Sequence, residues 1–196
     1  MTSTNDLLND PRSMRERMLA GDLYRGPDPE SGKISQRAFQ LIAAFQTTYV
    51  QLGLDLARPL LAELVGTLGE DVEVRPPLAV DYGENIHIGP RTFINSGLTA
   101  LDVAAIRIGA DCQIGPNVQL LTPTHPLDPT LRRDKWEAAE PITLGDNVWL
   151  GGGVIVCPGV TIGDNTVVGA GSVVTKDLPA NVVAVGNPAR VIRSLA

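Results

Sequence analysis

The sequence predicts a mainly β protein, a parallel β-helix of six-residue repeats that follows an N-terminal α-helical region. Three observations support this prediction. An aliphatic residue recurs at every sixth position in the second half of the chain, and apolar residues follow helical spacing near the N-terminus. The 196 residues also include 20 Gly and 15 Pro but only 4% aromatic residues, which suits a tightly turning, stacked chain better than an ordinary sandwich.

The repeat is most regular from residue 144 onward. Its aliphatic positions are Leu144, Leu150, Val156, Ile162, Val168 and Val174, and weaker forms occur at Ile88, Ile94 and Ala100 and at Ile108, Ile114 and Leu120. Short β-branched pairs such as Val167-Val168 alternate with Gly-containing corners that permit positive φ. If three units complete one turn, each coil holds about eighteen residues, and the inward side chains stack into columns. A β-sandwich is the remaining alternative, because a period of six fits no helix.

Three regions follow from this pattern: an N-terminal helical region at 1–70, the β-helix at 71–190 with an inserted loop at 121–141, and a C-terminal tail at 191–196. Helical spacing predicts helices from Ser13 to Ala20 and from about Gln36 to Gly66. Pro59 is expected to begin a second helix within the latter stretch. The tail is too short to be a domain and is expected to act as a closing strap.

The charge balance bears on partners and location. The net charge of −6 gives no basic field for phosphate backbones or anionic lipids, so we expect neither a nucleic-acid nor a membrane partner. The first residues are polar, and no later run approaches the length of a membrane span, so we expect a cytoplasmic protein. Cys112 and Cys157 fall inside the repeat and are predicted to be buried, reduced thiols.

Chemistry is expected where the repeat is interrupted, since loops presented by a rigid scaffold carry most binding and catalytic residues. The longer interruption, 121–141, contains His125, one of two histidines in the chain. The shorter one, from Ala100 to Arg107, contains Asp102. The other histidine, His87, alternates with inward-facing isoleucines, so we expect it to be exposed and assign it no role.

Several motifs outside the simple repeat belong together. They are Met18-Leu19-Ala20-Gly21, Tyr24, Asp28-Pro29-Glu30, Tyr82-Gly83, Asn85-Ile86, Asn95, Leu101-Asp102, His125-Pro126, Trp149-Leu150-Gly151, Pro158-Gly159-Val160-Thr161-Ile162-Gly163, Gly169-Ala170-Gly171-Ser172 and Gly186-Asn187-Pro188-Ala189-Arg190. In these motifs the sequence resembles the sugar O-acetyltransferases of the hexapeptide class, which include maltose, galactoside and nodulation-factor acetyltransferases. The likeness covers nearly the whole chain.

This resemblance implies a left-handed β-helix that forms a homotrimer with active sites between subunits, whereas elementary physics would favour a right-handed crossover. It implies acetyl-coenzyme A as co-substrate and a sugar-like hydroxyl as acceptor. His125 matches the general base that takes the hydroxyl proton, and Asn95 matches the residue beside it. Backbone amides near Gly152 are expected to steady the oxyanion or the thiolate in a direct ternary-complex transfer.

The remaining site residues are assigned by the same resemblance. The cofactor-binding positions are Trp149, Gly152, Ala170, Thr175, Lys176, Arg190 and Arg193, and the acceptor-binding positions are Asp28, Asp81 and Asp102. No metal is expected, because two histidines fall short of the three nitrogen ligands of the similarly folded gamma-class carbonic anhydrases.

The acceptor itself is left open. Arg25 stands where these enzymes carry an acidic residue, and Arg37 lies about two residues later than their usual arginine, so its part in acceptor binding is undecided. One alternative is an acetyltransferase for a non-sugar hydroxyl compound, such as an antibiotic or an amino acid. Another is a catalytically inactive, sugar-binding trimer that keeps the fold.

Overall fold

The structure is a computed structural model that describes residues 9–26 and 28–195. Residues 1–8 of the predicted helical region and Ala196 of the predicted tail lie outside the described residues. The helices are α1 (Met14–Leu19), α2 (Pro29–Leu52), α3 (Leu54–Leu64) and α4 (Pro129–Arg133). The strands are β1 (Tyr24–Arg25), β2 (Thr67–Leu68), β3 (Glu73–Val74), β4 (Leu78–Val80), β5 (Ile86–Ile88), β6 (Phe93–Ile94), β7 (Leu98–Leu101), β8 (Ile106–Ile108), β9 (Gln113–Ile114), β10 (Gln119–Leu121), β11 (Pro123–Thr124), β12 (Trp136–Ala139), β13 (Ile142–Leu144), β14 (Trp149–Leu150), β15 (Ile155–Val156), β16 (Thr161–Ile162), β17 (Val167–Val168), β18 (Val173–Val174), β19 (Val182–Val185) and β20 (Arg190–Ser194).

Three sheets form the walls of a prism. Sheet A contains β2, β5, β8, β13 and β16; sheet B contains β3, β6, β9, β14, β17, β19 and β20; sheet C contains β4, β7, β10, β15 and β18. The chain visits A, B and C in turn, and the pairings are parallel except for β19 with β20. The predicted parallel β-helix is therefore confirmed. We number the coils 1 to 6, so that coil 1 holds β2 to β4, coil 4 begins at β13, and coil 6 holds β19.

The interior of the prism is a stack of aliphatic side chains. The repeat positions predicted to point inward, from Leu144 to Val174, are all buried. The coils stack so closely that this corner has no room for a side chain. A Cβ on Gly151 would lie 2.5 Å from the backbone nitrogen of Ala170 in the next coil. Both cysteines are free thiols, as predicted, although Cys112 is buried and Cys157 is only half-buried.

The helical region differs from its prediction in detail. Helix α1 matches it, with Ser13 and Glu16 forming a capping box. Helix α2 begins at Pro29, earlier than expected, because Asp28 accepts the Ser31 N–H as its N-cap. The prediction that Pro59 begins a helix is wrong, since α3 starts at Leu54 and contains Pro59.

The burial of α3 explains its early start. Gly53 ends α2 with φ +90° and leads directly into α3. Ala57, Leu61 and Leu64 are then buried in the core that α2 and α3 share with coil 1. A proline in the second turn removes one backbone hydrogen bond, and this packing offsets that loss.

Helices α2 and α3 pack on coil 1 at one end of the prism, and strand β20 lies at the other end. The first coil strand, β2, already pairs with β5, so the solenoid begins within the predicted 1–70 region. The division into three regions remains a prediction. At the other end β20 pairs antiparallel with β19 and covers the last coil, as a closing strap would. Among the described residues, no helix is long and apolar enough to cross a membrane.

Candidate active site

Two corners of the prism carry most of the residues that the sequence assigned to the site. At the B–C corner the chain passes from sheet B to sheet C, and at the C–A corner it passes from sheet C to sheet A. The B–C corner carries Asn95, Gly152 and Ala170, whereas the C–A corner carries Asp81, Asp102, Thr175 and Lys176. Sheet C separates the two sets.

The inserted loop leaves the C–A corner of coil 3 and brings His125 with it. Thr122 fixes its start, because the Thr122 hydroxyl donates to the Leu101 carbonyl and accepts the Ala104 N–H. Strands β11 and β12 then pair antiparallel, and His125 follows β11 with an exposed side chain. Directly after it, the Arg132 guanidinium donates to the carbonyls of residues 126 and 127 at 2.9 and 3.0 Å.

Asn95 lies at the opposite edge of sheet C, at the B–C corner of coil 2. Its side chain is half-buried, and its Oδ1 accepts the Ser96 N–H at 2.8 Å. Strand β7 follows Asn95, and at about 3.3 Å per residue this strand alone spans roughly 10 Å. Within one subunit, therefore, Asn95 and the start of the His125 loop lie at opposite ends of the strands of sheet C.

The predicted cofactor residues share one end of the prism. Trp149 lies in coil 4 on sheet B, and Arg190 and Arg193 lie on the exposed strand β20 next to coil 6. The Trp149 side chain is 55% exposed. It faces an open cavity of ≈ 530 Å³ that is also lined by Gln113, Asn147, Asn165, Val167 and Leu195.

Two amides at the B–C corner are available for a ligand. The N–H groups of Gly152 and Ala170 donate no hydrogen bond to any group in the described part of the chain. At the equivalent positions of the other coils the N–H is engaged or absent. The Ser96 N–H donates to the Asn95 side chain, the Gly186 N–H donates to the Ser172 hydroxyl, and Pro116 has no N–H. Unpaired donors at such a close-packed corner suit an anionic or carbonyl oxygen.

Asp102 is a buried carboxylate that holds the corner of the first coil. It is 0% exposed, and it accepts the backbone N–H groups of Asp81, Tyr82 and Asn85 at 3.0, 2.9 and 3.2 Å. Burial raises its pKa, and these hydrogen bonds act in the opposite direction. Its oxygens are therefore already engaged by the protein.

Asp81 is more accessible than Asp102. Burial, with the neighbouring charges of Asp102 and Glu137, raises the pKa of Asp81 to about 6. Glu137, on the inserted loop, accepts the Tyr24 hydroxyl at 3.0 Å and contributes to a raised pKa of that phenol, whose main cause is burial. The sequence analysis did not single out Glu137; its only signal was its place in the loop that carries His125.

The other predicted residues lie on the helices or face solvent. Asp28 caps α2, where its carboxylate accepts both the N–H and the hydroxyl of Ser31. Arg37 pairs with Glu63 of α3 at 3.0 Å. His87 alternates with buried isoleucines as predicted, but it is half-buried and not exposed, and its Nδ1 lies 3.2 Å from the Thr67 hydroxyl. The described residues include no cluster of His, Cys, Asp or Glu that could hold a metal ion.

Comparison with known proteins decides the family. The bacterial transferase hexapeptide model (six repeats) matches residues 141–176, and the maltose acetyltransferase hexapeptide capping motif matches residues 17–69. Nodulation protein L of Rhizobium leguminosarum bv. viciae is 46% identical over 183 residues, which cover 92% of this chain and 94% of that protein. This chain belongs to the hexapeptide-repeat acetyltransferase family.

Solved structures of hexapeptide-repeat acetyltransferases have the same fold. A maltose O-acetyltransferase from Clostridium difficile 630 superposes with a TM-score of 0.92 at 43% identity, covering 95% of this chain and 100% of that one. A galactoside acetyltransferase in complex with coenzyme A superposes with a TM-score of 0.89 at 41% identity, covering 94% and 92%. The resemblance to the maltose, galactoside and nodulation acetyltransferases is therefore confirmed.

Proposed function

We propose that this acetyltransferase moves the acetyl group of acetyl-coenzyme A to a hydroxyl of a sugar or sugar-like acceptor, in the cytoplasm, with His125 as general base. The observation that carries the proposal is the placement of the predicted residues along the prism. Asp81, Asp102, Asn95 and the His125 loop belong to coils 1 to 3, whereas Trp149 and the other cofactor positions belong to coils 4 to 6. Acceptor and donor thus take opposite ends of one groove.

The groove is completed by a second copy of the chain. At both corners the predicted acceptor or catalytic residues lie in lower-numbered coils than the predicted cofactor residues. Each corner nevertheless holds only part of the site. In a homotrimer with head-to-tail contacts, the C–A corner of one subunit faces the B–C corner of the next. His125 and Lys176 of one subunit then face Asn95, Gly152 and Ala170 of the partner, in three equivalent sites.

The reaction follows from these positions. The acceptor hydroxyl is a weak nucleophile at neutral pH, and the His125 imidazole takes its proton as the oxygen attacks the thioester carbonyl. The free Gly152 N–H donates to the oxygen that becomes negative in the tetrahedral intermediate. When the intermediate collapses, the carbon–sulfur bond breaks, and the proton on the imidazole passes to the departing thiolate. No covalent acyl-enzyme forms.

The remaining residues bind the two substrates. The cations Lys176, Arg190 and Arg193 pair with the phosphates of coenzyme A, and the exposed Trp149 indole packs against its apolar arm. Ala170 and Thr175 line the same path. On the acceptor side Asp81 accepts sugar hydroxyls, whereas Asp102 supports Asp81 by holding its backbone, and Asp28 fixes the start of α2 beside them.

A coupled assay tests this function. Purified protein is supplied with acetyl-coenzyme A and a panel of sugars, aminoglycosides and hydroxy amino acids, and release of free thiol is followed. Acetylation of a sugar by the wild type and a loss of about 10²- to 10⁴-fold in kcat for His125→Ala are the expected results. Turnover only of non-sugar acceptors would move the assignment to that class. Coenzyme A binding without acetylation of any acceptor would contradict the proposal and favour an inactive sugar-binding trimer.

A further inference from the structure

A small sheet outside the prism connects the N-terminal segment to the residue before His125. Its order is β1-β12-β11, and both pairings are antiparallel. Strand β11 ends at Thr124, directly before His125. Thr122 fixes the start of the loop on the prism, and β12 is the one strand of this small sheet that pairs with β11, so the position of β12 bears on that of His125.

Strand β12 is anchored through Trp136. The Trp136 side chain is 0% exposed, and two guanidinium groups lie over its ring: Arg17 of α1 at 5.0 Å and Arg25 of β1 at 4.7 Å from the centroid. Arg17 is itself only 2% exposed. Cation–π attraction strengthens when both partners are removed from water, so Trp136 ties β12 to two N-terminal elements at once.

Trp136 anchors β12 through its ring face and not through its indole N–H. The Trp136 indole N–H is buried without a hydrogen-bond partner in the described part of the chain, and so is the Arg25 Nε. A buried donor without a partner is destabilising, so the indole N–H contributes nothing to this anchor. The contacts that hold β12 are those of the ring face with the two guanidinium groups.

We propose that Trp136, held between Arg17 and Arg25, is a positioning residue for His125. It touches neither substrate, and it acts through the β12–β11 pairing, which sets the height of the His125 imidazole over the acceptor. The N-terminal segment thereby becomes part of the catalytic apparatus. This inference rests on the proposed role of His125 as general base.

The test compares Trp136→Ala, Trp136→Phe and Arg25→Gln with Phe39→Ala, an exposed aromatic on α2 that serves as control. Calorimetry with coenzyme A counts the intact cofactor sites of each variant, and kcat is expressed per site, so that simple loss of folded protein does not alter it. We expect kcat per site to fall at least tenfold in Trp136→Ala and by a smaller factor in Arg25→Gln. Trp136→Phe should keep most of the rate, because its ring still faces both cations, and KM for acetyl-coenzyme A should stay within twofold throughout.

Wild-type kcat per site in both Arg25→Gln and Trp136→Ala would overturn the inference, as would an equal loss in Phe39→Ala. If Trp136→Ala does not bind coenzyme A, the test rests on Trp136→Phe and Arg25→Gln. A kcat per site of Arg25→Gln equal to that of the wild type then refutes the inference. His125→Ala is assayed in parallel. Full activity of that variant would refute the proposed base, which is a different result from a failure of the Trp136 variants alone.

Discussion

Asn95 lies just before strand β7 of sheet C, whereas His125 lies on the loop that leaves the end of the neighbouring strand β10. The two residues that the family resemblance assigns to one catalytic step are thus at opposite corners of the same subunit. A single chain carries both halves of the proposed site but does not close it. The oligomer is therefore the catalytic unit in this account.

The free amide of Gly152 can be tested without changing the charge of the site. Proline at this position removes the N–H, and Pro116 occupies the equivalent corner position of coil 3; coenzyme A binding checks that the Gly152→Pro variant is folded. Gly152→Pro should lower kcat by about 10²-fold, as loss of one oxyanion donor does elsewhere. Gly152→Ala keeps the N–H, and its Cβ would meet Pro116 at an ordinary 3.4 Å, so it should stay within a few-fold of wild type. Equal rates in the two variants would show that this amide has no part in the transition state.

Asp102 is expected to contribute mainly to the stability of the folded protein. Asp102→Ala leaves three backbone N–H groups without their charged acceptor in a buried corner, which should lower the free energy of unfolding by about 3–5 kcal/mol. Urea unfolding followed by circular dichroism measures the loss. Asp111→Asn is the matched control, because Asp111 pairs with Arg91 at the surface and asparagine also tolerates its φ of +58°, and it should change little at neutral pH. Comparable losses in both variants would count against the assigned role of Asp102.

The raised pKa of Asp81 predicts how stability varies with pH. The folded protein keeps a proton on Asp81 up to about pH 6, whereas the unfolded chain releases it near 3.8. This stabilisation is present below pH 3.8 and disappears as the pH rises through 6. Relative to Asp81→Asn, the wild type should therefore lose on the order of 1–2 kcal/mol between pH 4 and 7, after allowance for its partial exposure.

The free energies of unfolding of the wild type and of Asp81→Asn, measured at several pH values, give this difference directly. Asp111→Asn provides a control of opposite sign, because Arg91 lowers the pKa of Asp111. The wild type should gain stability relative to Asp111→Asn as the pH rises through the acid range. A pH-independent difference between wild type and Asp81→Asn would mean that Asp81 ionises normally in the folded protein.

Gly83 is needed for both its backbone conformation and its contact. Its φ is +79°, and a Cβ there would lie 2.5 Å from the Leu64 carbonyl oxygen at the end of α3. Gly21 has φ +77° and open space around it. Both alanine variants should carry a strain of about 1–2 kcal/mol, and Gly83→Ala should lose a further 1–3 kcal/mol or so from the clash. Thermal unfolding that ranks Gly21→Ala as the less stable variant would contradict this.

The β-helix was predictable because its signal is local and repeated. Each step from Leu144 to Val174 places one buried aliphatic residue, so the period of six is visible in the sequence itself. Helix α3 was misjudged at Pro59, because burial of Leu61 and Leu64 against coil 1 is a tertiary effect that helical propensity does not contain. The left-handed winding was predicted from the family resemblance, because the general preference of parallel crossovers is right-handed.

The sequence supplied candidate site residues, but their positions on the prism came only from the structure. The interruption of the repeat pointed to His125, and the resemblance supplied Asn95 and the cofactor positions. Their division between two corners depends on which residues end each strand of sheet C, which the sequence pattern did not resolve. Glu137 and Trp136 were missed because their contacts with Tyr24 and Arg25 join segments more than a hundred residues apart.

Complementation between two inactive variants tests the shared site most directly. His125→Ala and Asn95→Ala are each expected to be inactive alone, and co-expressed subunits should assemble at random. A site built from His125 of one subunit and Asn95 of the next is intact in about a quarter of all subunit contacts when the two variants assemble at random in a head-to-tail ring. The mixture should therefore recover about a quarter of the wild-type kcat per subunit. No recovery in mixed oligomers that contain both variants would contradict a site shared between subunits.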